Sequence, residues 1–204
     1  MSADEPAPRL WLASASPTRR RLLQQAGVAF SAQAPPIDEE EAKRALEAEG
    51  ADADALAEGL AELKALAVSR RHPGGFVIGA DQVLDCDGRR YDKPADEAAA
   101  RAQLKALRGH THHLISAVTV LRDGERLWHH IDRARLTMRP FSPAFLEDYL
   151  RRSLPGVLGS VGAYQLEGLG AQLFSRIEGD YFTILGLPLL PLLDFLRPHG
   201  LVST

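Results

Sequence analysis

Apolar and polar positions alternate along the chain in a way that predicts strands and helices in turn. The run at 9–14 ("RLWLAS") reads as a buried strand leading straight into a helix whose N-cap and first residue are Ser16 and Pro17. "FSAQAPP" (30–36) reads as a second extended piece. A long helix is predicted from about 52 to 71, with Leu56, Leu60, Leu63 and Ala67 on one stripe. "GGFVIGADQVL" (74–84) is a buried strand closed by a turn at Asp87-Gly88, and another helix covers 96–107. "HHLISAVTVL" and "RLWHHIDRARLTM" flank Asp123-Gly124 as a hairpin, and Ser142-Pro143 opens a helix to about Arg152. A glycine-rich stretch at 156–170 precedes two further expected strands around Glu178-Gly179-Asp180 and a closing helix after Pro188. Helices interleaved with strands and hairpins place the chain in the α/β class with a mixed sheet. No repeat, low-complexity tract or linker interrupts it, so 1–204 is expected to form one domain, with 1–8 as a flexible tail.

Composition adds constraints. The 204 residues suffice for a substantial core, and 45% hydrophobic with 25% charged is ordinary for a folded protein. A net charge of −3 offers no global field for nucleic acid or an anionic membrane, so any phosphate binding must be local. The lone Cys86, expected in a hairpin turn, excludes an internal disulfide framework and fits a reducing compartment. No apolar run is long enough to span a bilayer, and the acidic start "MSADEPAPRL" has no secretory h-region. A cytoplasmic protein with no membrane or nucleic-acid partner is expected.

Candidate chemistry begins with "SASPTRRRLL" (14–23). Helix N-termini carry partial positive charge, so stability alone favours acids where Thr18, Arg19, Arg20 and Arg21 stand. At helical spacing Leu22, Leu23 and Ala26 mark the buried face, and Arg19 falls within it while Arg20 lies to one side and Arg21 points away. Strand, tight turn, helix start and Arg19 make a phosphate cradle; the alternative is a solvated basic face with Arg19 snorkelling. Asp81, in "IGADQVL", stands in an apolar strand as a metal ligand or general base, or as a structural turn cap. Lys64 in "ELKAL" lies at the edge of its helix stripe, and Lys93 in "YDKPAD" follows a hairpin arm; either alone reads as a solvated surface group. The acids of "IDEEE" (37–41) read as a solvated face. His112 and His113 fall on opposite sides of a strand, against an ion shared by His110, His112 and His113. There is no Walker A loop and no nucleophile elbow, and "GLGAQLF" lacks the third glycine of a dinucleotide loop.

These stretches together resemble the Maf family of nucleoside triphosphate pyrophosphatases. The resemblance rests on "LASASPTRRRLL", "IDE", "LAELKA", "IGADQV", "YDKP", "LRGHTH" and "GAYQLEGLGAQLFSRIEGDYFTILGLP", in the family's order from about 10 to 196. It implies an elongated two-lobed α/β fold with a central cleft, like that of the inosine-triphosphate pyrophosphatases. It also implies hydrolysis of a nucleoside triphosphate between its α and β phosphates with a divalent cation, usually Mg²⁺, Mn²⁺ being an alternative. Carried over by motif, the functional positions are Ser14, Arg19, Glu39, Lys64, Asp81 and Lys93. Asp81 and Glu39 would hold the metal; Ser14, Arg19, Lys64 and Lys93 would hold phosphates. Family members are commonly dimers, so a homodimer is expected on the same basis.

Branches of the family differ at the positions occupied here by Thr18, Gln82 and Glu167. Gln82 and Glu167 match a branch that prefers 7-methyl-GTP, whereas Thr18 matches neither that branch nor the one acting on dTTP and UTP. A carboxylate suits the donor edge of guanine and leaves the carbonyls of thymine or uracil unpaired. The expectation is a modified guanine nucleotide; a dTTP/UTP pyrophosphatase and a non-catalytic nucleotide-binding module are the alternatives.

Overall fold

A computed structural model describes residues 10–203; the tail expected at 1–8 lies outside the described residues. Seven strands form one sheet: β1 (Leu10–Ala13), β2 (Ser31–Ala32), β3 (Phe76–Cys86), β4 (Arg89–Tyr91), β5 (Thr111–Arg122), β6 (Glu125–Met138) and β7 (Phe174–Glu178). The order is β2-β1-β3-β5-β6-β7, with β4 also on β3. β1 pairs in parallel with β2 and β3, and the remaining pairs are antiparallel, so the sheet is mixed as expected. Both Asp-Gly hairpins form. Asp87 and Asp123 (φ 54° each) and the glycines after them (φ 80° and 84°) adopt the left-handed geometry that a two-residue turn requires. Cys86 is the buried last residue of β3 rather than a turn residue.

The helices are α1 (Pro17–Gln25), α2 (Glu39–Ala48), α3 (Ala53–Ser69), α4 (Glu97–Leu107), α5 (Pro143–Ser153), α6 (Tyr181–Ile184) and α7 (Leu189–Leu196). The acids at 39–41 are exposed, as expected of a solvated face, and they also start a helix, because Asp38 accepts from the Glu41 N–H and the carboxylates favour its positive end. Two expectations are corrected. The second strand expected after Gly179 is the short helix α6, whose first turn is closed by Asp180 accepting from the Thr183 N–H at 3.0 Å. The extended piece at 30–36 pairs with β1 over only part of its length: Ser31 and Ala32 are in register with Trp11 and Leu12, and the Gln33 N–H donates to the Leu12 carbonyl at 3.0 Å.

The apolar stripe of α3 is also rotated from the expected one. Leu56, Leu60, Ala61, Lys64, Ala65 and Val68 are buried, whereas Leu63 is 37% exposed. Ala61 and Ala65 are small, and they sit on Gly79 of β3: a Cβ built there would lie 2.0 Å from the Ala61 carbonyl oxygen. The helix rides directly on the strand backbone, and that closeness selects the face it presents.

Side-chain alternation along β3 sorts the core. Phe76, Ile78 and Ala80 pack with Leu22, Leu23, Leu187, Leu192 and Leu196 from the α1 and α7 side. Val77 and Val83 face α3, packing respectively with Ala65 and with Leu60 and Ala61. Farther along β3, Leu84 joins a separate cluster with Leu104, Leu114, Leu136, Phe141, Tyr149 and Tyr164. The cleft lies between the α1/α7 cluster and this one.

Candidate functional site

β3 is flanked twice on the same edge, first by β1 along 76–79 and then by β4 along 84–86. Between these partners β3 has no strand neighbour on that side, because β1 has ended and turned into α1. Asp81 and Gln82 stand at that opening, the location that strand divergence makes available to a ligand in open α/β sheets. A cavity of about 310 Å³ occupies it. Ala15, Ser16, Pro17, Thr18 and Arg19 form one wall, residues between 156 and 167 face them, and Lys93, Leu114 and residues 184–186 also line it. The volume is at the lower end of the range for small-molecule pockets.

Ser14 is buried, and its hydroxyl accepts from the Ser16 N–H at 3.1 Å, fixing the turn from β1 into α1. Ser16 in turn accepts from the Arg19 N–H at 3.3 Å, and the first turn of α1 carries no acid. Thr18 and Arg19 line the cavity, as the helical spacing required of Arg19. Its Nε donates to the Gly186 carbonyl at 2.7 Å, and Gly186 can turn that carbonyl inward because it takes φ 89°. Burial pushes the Arg19 guanidinium below its ordinary pKa, opposed by the charges of Asp81 and Glu39. It remains a cation. Ala26 is exposed, so the buried face of α1 is narrower than expected.

Lys64 is the largest departure from the surface lysine that its type alone suggested. It is 5% exposed, and its Nζ donates to Asp81 Oδ1 at 2.6 Å and pairs with Glu39 Oε2 at 2.8 Å. Three elements, α2, α3 and β3, thereby converge on one ammonium group. Burial raises the Glu39 pKa, but the hydrogen bond and charge of Lys64, with Lys93 and Arg19 behind it, outweigh that and hold it below the usual carboxylate range. Lys93 is exposed on the rim. Lys43 of α2 pairs with Asp92, and Arg90 pairs with Glu47 at 3.1 Å, which ties the helix bearing Glu39 to the segment bearing Lys93. Asp81 and Glu39, two hard oxygen donors already gathered around a single cation, fit a divalent ion such as Mg²⁺.

Gln82 faces the opposite side of β3 from Asp81. Its Nε2 lies 3.0 Å from Ser116 Oγ, 3.0 Å from the Thr183 carbonyl and 3.1 Å from the Ile184 carbonyl. Two backbone carbonyls fix which end of the amide is nitrogen, so the Gln82 carbonyl oxygen is the end left free. Ser116 and Thr183, which sequence reasoning did not single out, create this arrangement; Ser116 also donates to the Thr183 carbonyl at 2.8 Å. Glu167 lines the cavity as expected, but its Oε1 is bound by Arg21 at 2.6 Å. Arg21, expected to be mostly surface, is half-exposed and reaches across the cleft.

His112 is fully buried and His113 exposed, so the expected alternation holds. Cys86, Asp87 and His110 bring ligand atoms within 4.8 Å of one another, and none of the three lines the cavity. Among the described residues no helix is long and apolar enough to cross a membrane.

Fold and site define an α/β protein with a cleft lined by a helix N-terminus, Arg19, Lys93 and Asp81, with Glu39 joined to Asp81 through Lys64 outside that lining, a setting for a polyanion. The chain belongs to the Maf family: the model for "Maf-like protein" matches residues 9–199. It is 59% identical to a nucleoside triphosphate pyrophosphatase of Paramagnetospirillum magneticum, over 93% of this chain and 97% of the relative. It is 51% identical to a 7-methyl-GTP pyrophosphatase of Rhizobium johnstonii, over 96% of this chain and 98% of the relative. A solved HAM1 protein from Coxiella burnetii aligns at 16% identity and TM-score 0.45, over 66% of this chain and 74% of that one, too distant to bear on the reading.

Proposed function

We propose that the protein, a nucleoside triphosphate pyrophosphatase by family and relatives, acts on a modified guanine nucleotide such as 7-methyl-GTP. The observation that carries the base assignment is the pair of acceptors in the cleft. Gln82 spends its donors on Thr183, Ile184 and Ser116 and offers its carbonyl oxygen, and Glu167 offers a carboxylate. Guanine presents N1–H and a 2-amino group, both donors, and methylation at N7 adds positive charge to the ring. Thymine and uracil offer a single donor there, N3–H between two carbonyls, so one of the two acceptors would be left unpaired, at about 1–3 kcal/mol.

Water attacks the α-phosphorus, the bond from that phosphorus to the bridging oxygen breaks, and the products are a nucleoside monophosphate and pyrophosphate. Catalysis of such a transfer is chiefly positioning and charge stabilisation. The N-terminus of α1, Arg19 and Lys93 line the cavity and hold phosphate oxygens. Ser14 keeps the α1 turn in shape from beneath. Lys64 fixes Asp81 Oδ1, and the second Asp81 oxygen, with no partner among the described residues, orients the attacking water and accepts its proton. Asp81 and Glu39 would hold Mg²⁺ or Mn²⁺, which would supply neutralisation of the phosphate charge. The reading also includes a cytoplasmic location and a homodimer, the latter on family resemblance alone.

The test is pyrophosphate release with Mg²⁺ across 7-methyl-GTP, GTP, CTP, UTP and dTTP, with Asp81→Ala as control. Highest kcat/KM for 7-methyl-GTP supports the reading. Preference for dTTP or UTP refutes the base assignment, and release undiminished in the Asp81→Ala protein refutes the role of Asp81.

A further inference from the structure

We infer that Arg21 is a specificity-positioning residue: by binding Glu167 across the cleft, it fixes the carboxylate that reads the base. The inference rests on the assignment of Glu167 to base recognition. Arg21 and Glu167 are 146 residues apart in sequence, yet the Arg21 guanidinium donates to Glu167 Oε1 at 2.6 Å. The bond joins α1, whose first turn faces the phosphates, to the opposite wall of the cavity.

The Glu167 backbone is already held from below. Tyr149 donates its hydroxyl to the Ala163 carbonyl at 3.1 Å, and the Tyr164 hydroxyl meets His112 Nε2 at 2.8 Å, both in the buried cluster. Gly170 packs against the Gln165 backbone so closely that a Cβ would lie 2.3 Å from the Gln165 carbonyl. What these contacts do not fix is the Glu167 side chain, a long chain 24% exposed with rotamer freedom to lose. Arg21 removes that freedom by occupying Oε1. Glu167 Oε2, with no partner among the described residues, is then the oxygen presented to the donor edge of the base. The Arg21 side chain is half-exposed and the Glu167 side chain 24% exposed, and an ion pair this open to water contributes little to folding, so this bond belongs to the cleft rather than to stability.

The experiment is a double-mutant cycle on the full chain: wild type, Arg21→Ala, Glu167→Ala and the double variant, with kcat and KM measured for 7-methyl-GTP, GTP, dTTP and UTP, and Tm alongside. Arg21→Ala is expected to raise KM for the guanine nucleotides about fivefold. kcat should stay within about twofold and Tm should be unchanged. In the Glu167→Ala background the same substitution should have no further effect on KM, because the group it positions is gone. Arg21→Lys should restore part of the loss. Multiplicative effects in the double variant, or an unchanged KM in Arg21→Ala, overturn the inference. If wild type prefers dTTP or UTP, the guanine assignment fails instead, and the cycle still decides Arg21: non-additive shifts in the preferred nucleotide's KM retain it, and additive ones remove it.

Discussion

Replacing Gly79 with alanine puts a methyl group 2.0 Å from the Ala61 carbonyl oxygen, 2.8 Å from Ala65 Cβ and 3.0 Å from the Ala65 nitrogen. Two of these are helix backbone atoms, which cannot rotate aside. To restore ordinary contact, α3 must retreat from β3 by more than about 1 Å. Overpacking of this kind costs about 1–3 kcal/mol, and unyielding backbone places it near the upper end. The protein should stay folded, since domain stabilities are roughly 5–15 kcal/mol, with Tm lowered by about 6–12 °C for a chain of this size. The functional effect should be larger. Lys64 travels with α3, and its 2.6 Å bond to Asp81 spans that same interface, so retreat carries Nζ beyond hydrogen-bond reach. Misplacing a catalytic group by about 1 Å can cost on the order of a hundredfold, so kcat should fall at least about tenfold in protein that circular dichroism shows to be folded. The assays are thermal unfolding and steady-state pyrophosphate release at saturating nucleotide and Mg²⁺. Wild-type kcat together with an unchanged Tm would falsify the claim that Gly79 sets the position of Lys64.

Lys64→Met should abolish turnover and cost about 2 kcal/mol at pH 7, less than a fully buried pair because Glu39 is half open to water. Lys64 holds the Glu39 pKa down, so the stability this group contributes is present at neutral pH and lost as pH falls through that depressed value. Urea unfolding should therefore show wild type and variant converging on acidification; a gap independent of pH would contradict this. Burial, with a smaller contribution from His113, lowers the His112 pKa to about 4 from 6.5. The neutral ring is the folded form, so stability from His112 is full above pH 6.5, declines between 6.5 and about 4, and levels off below. The span corresponds to about 3 kcal/mol. His112→Gln should flatten the unfolding free energy over that window relative to wild type, and equal slopes in the two proteins would rule it out.

The sequence by itself determined what depends on neighbours along the chain. Asp-Gly turns, Ser-Pro caps and apolar runs act within a few residues, so both hairpins, α1, α5 and the mixed α/β class were legible. So was the inward face of Arg19, which follows from helix periodicity. The polar helix α2 was missed because it buries no residue and so has no stripe, although the Asp38 cap followed by three acids was a usable signal. The second strand expected after Gly179 lost to a single side chain, Asp180, which closes a helical turn. Only the tertiary structure decided which face of α3 is buried, because Gly79 on another element admits Ala61 and Ala65 and brings Lys64 inward between them. It likewise decided that Glu39, Lys64 and Asp81 meet, that Gln82 turns its carbonyl oxygen to the cleft, and that Arg21 reaches Glu167. Motif order names these residues, but strand register and helix approach place them, and both are settled by packing between segments far apart in the chain.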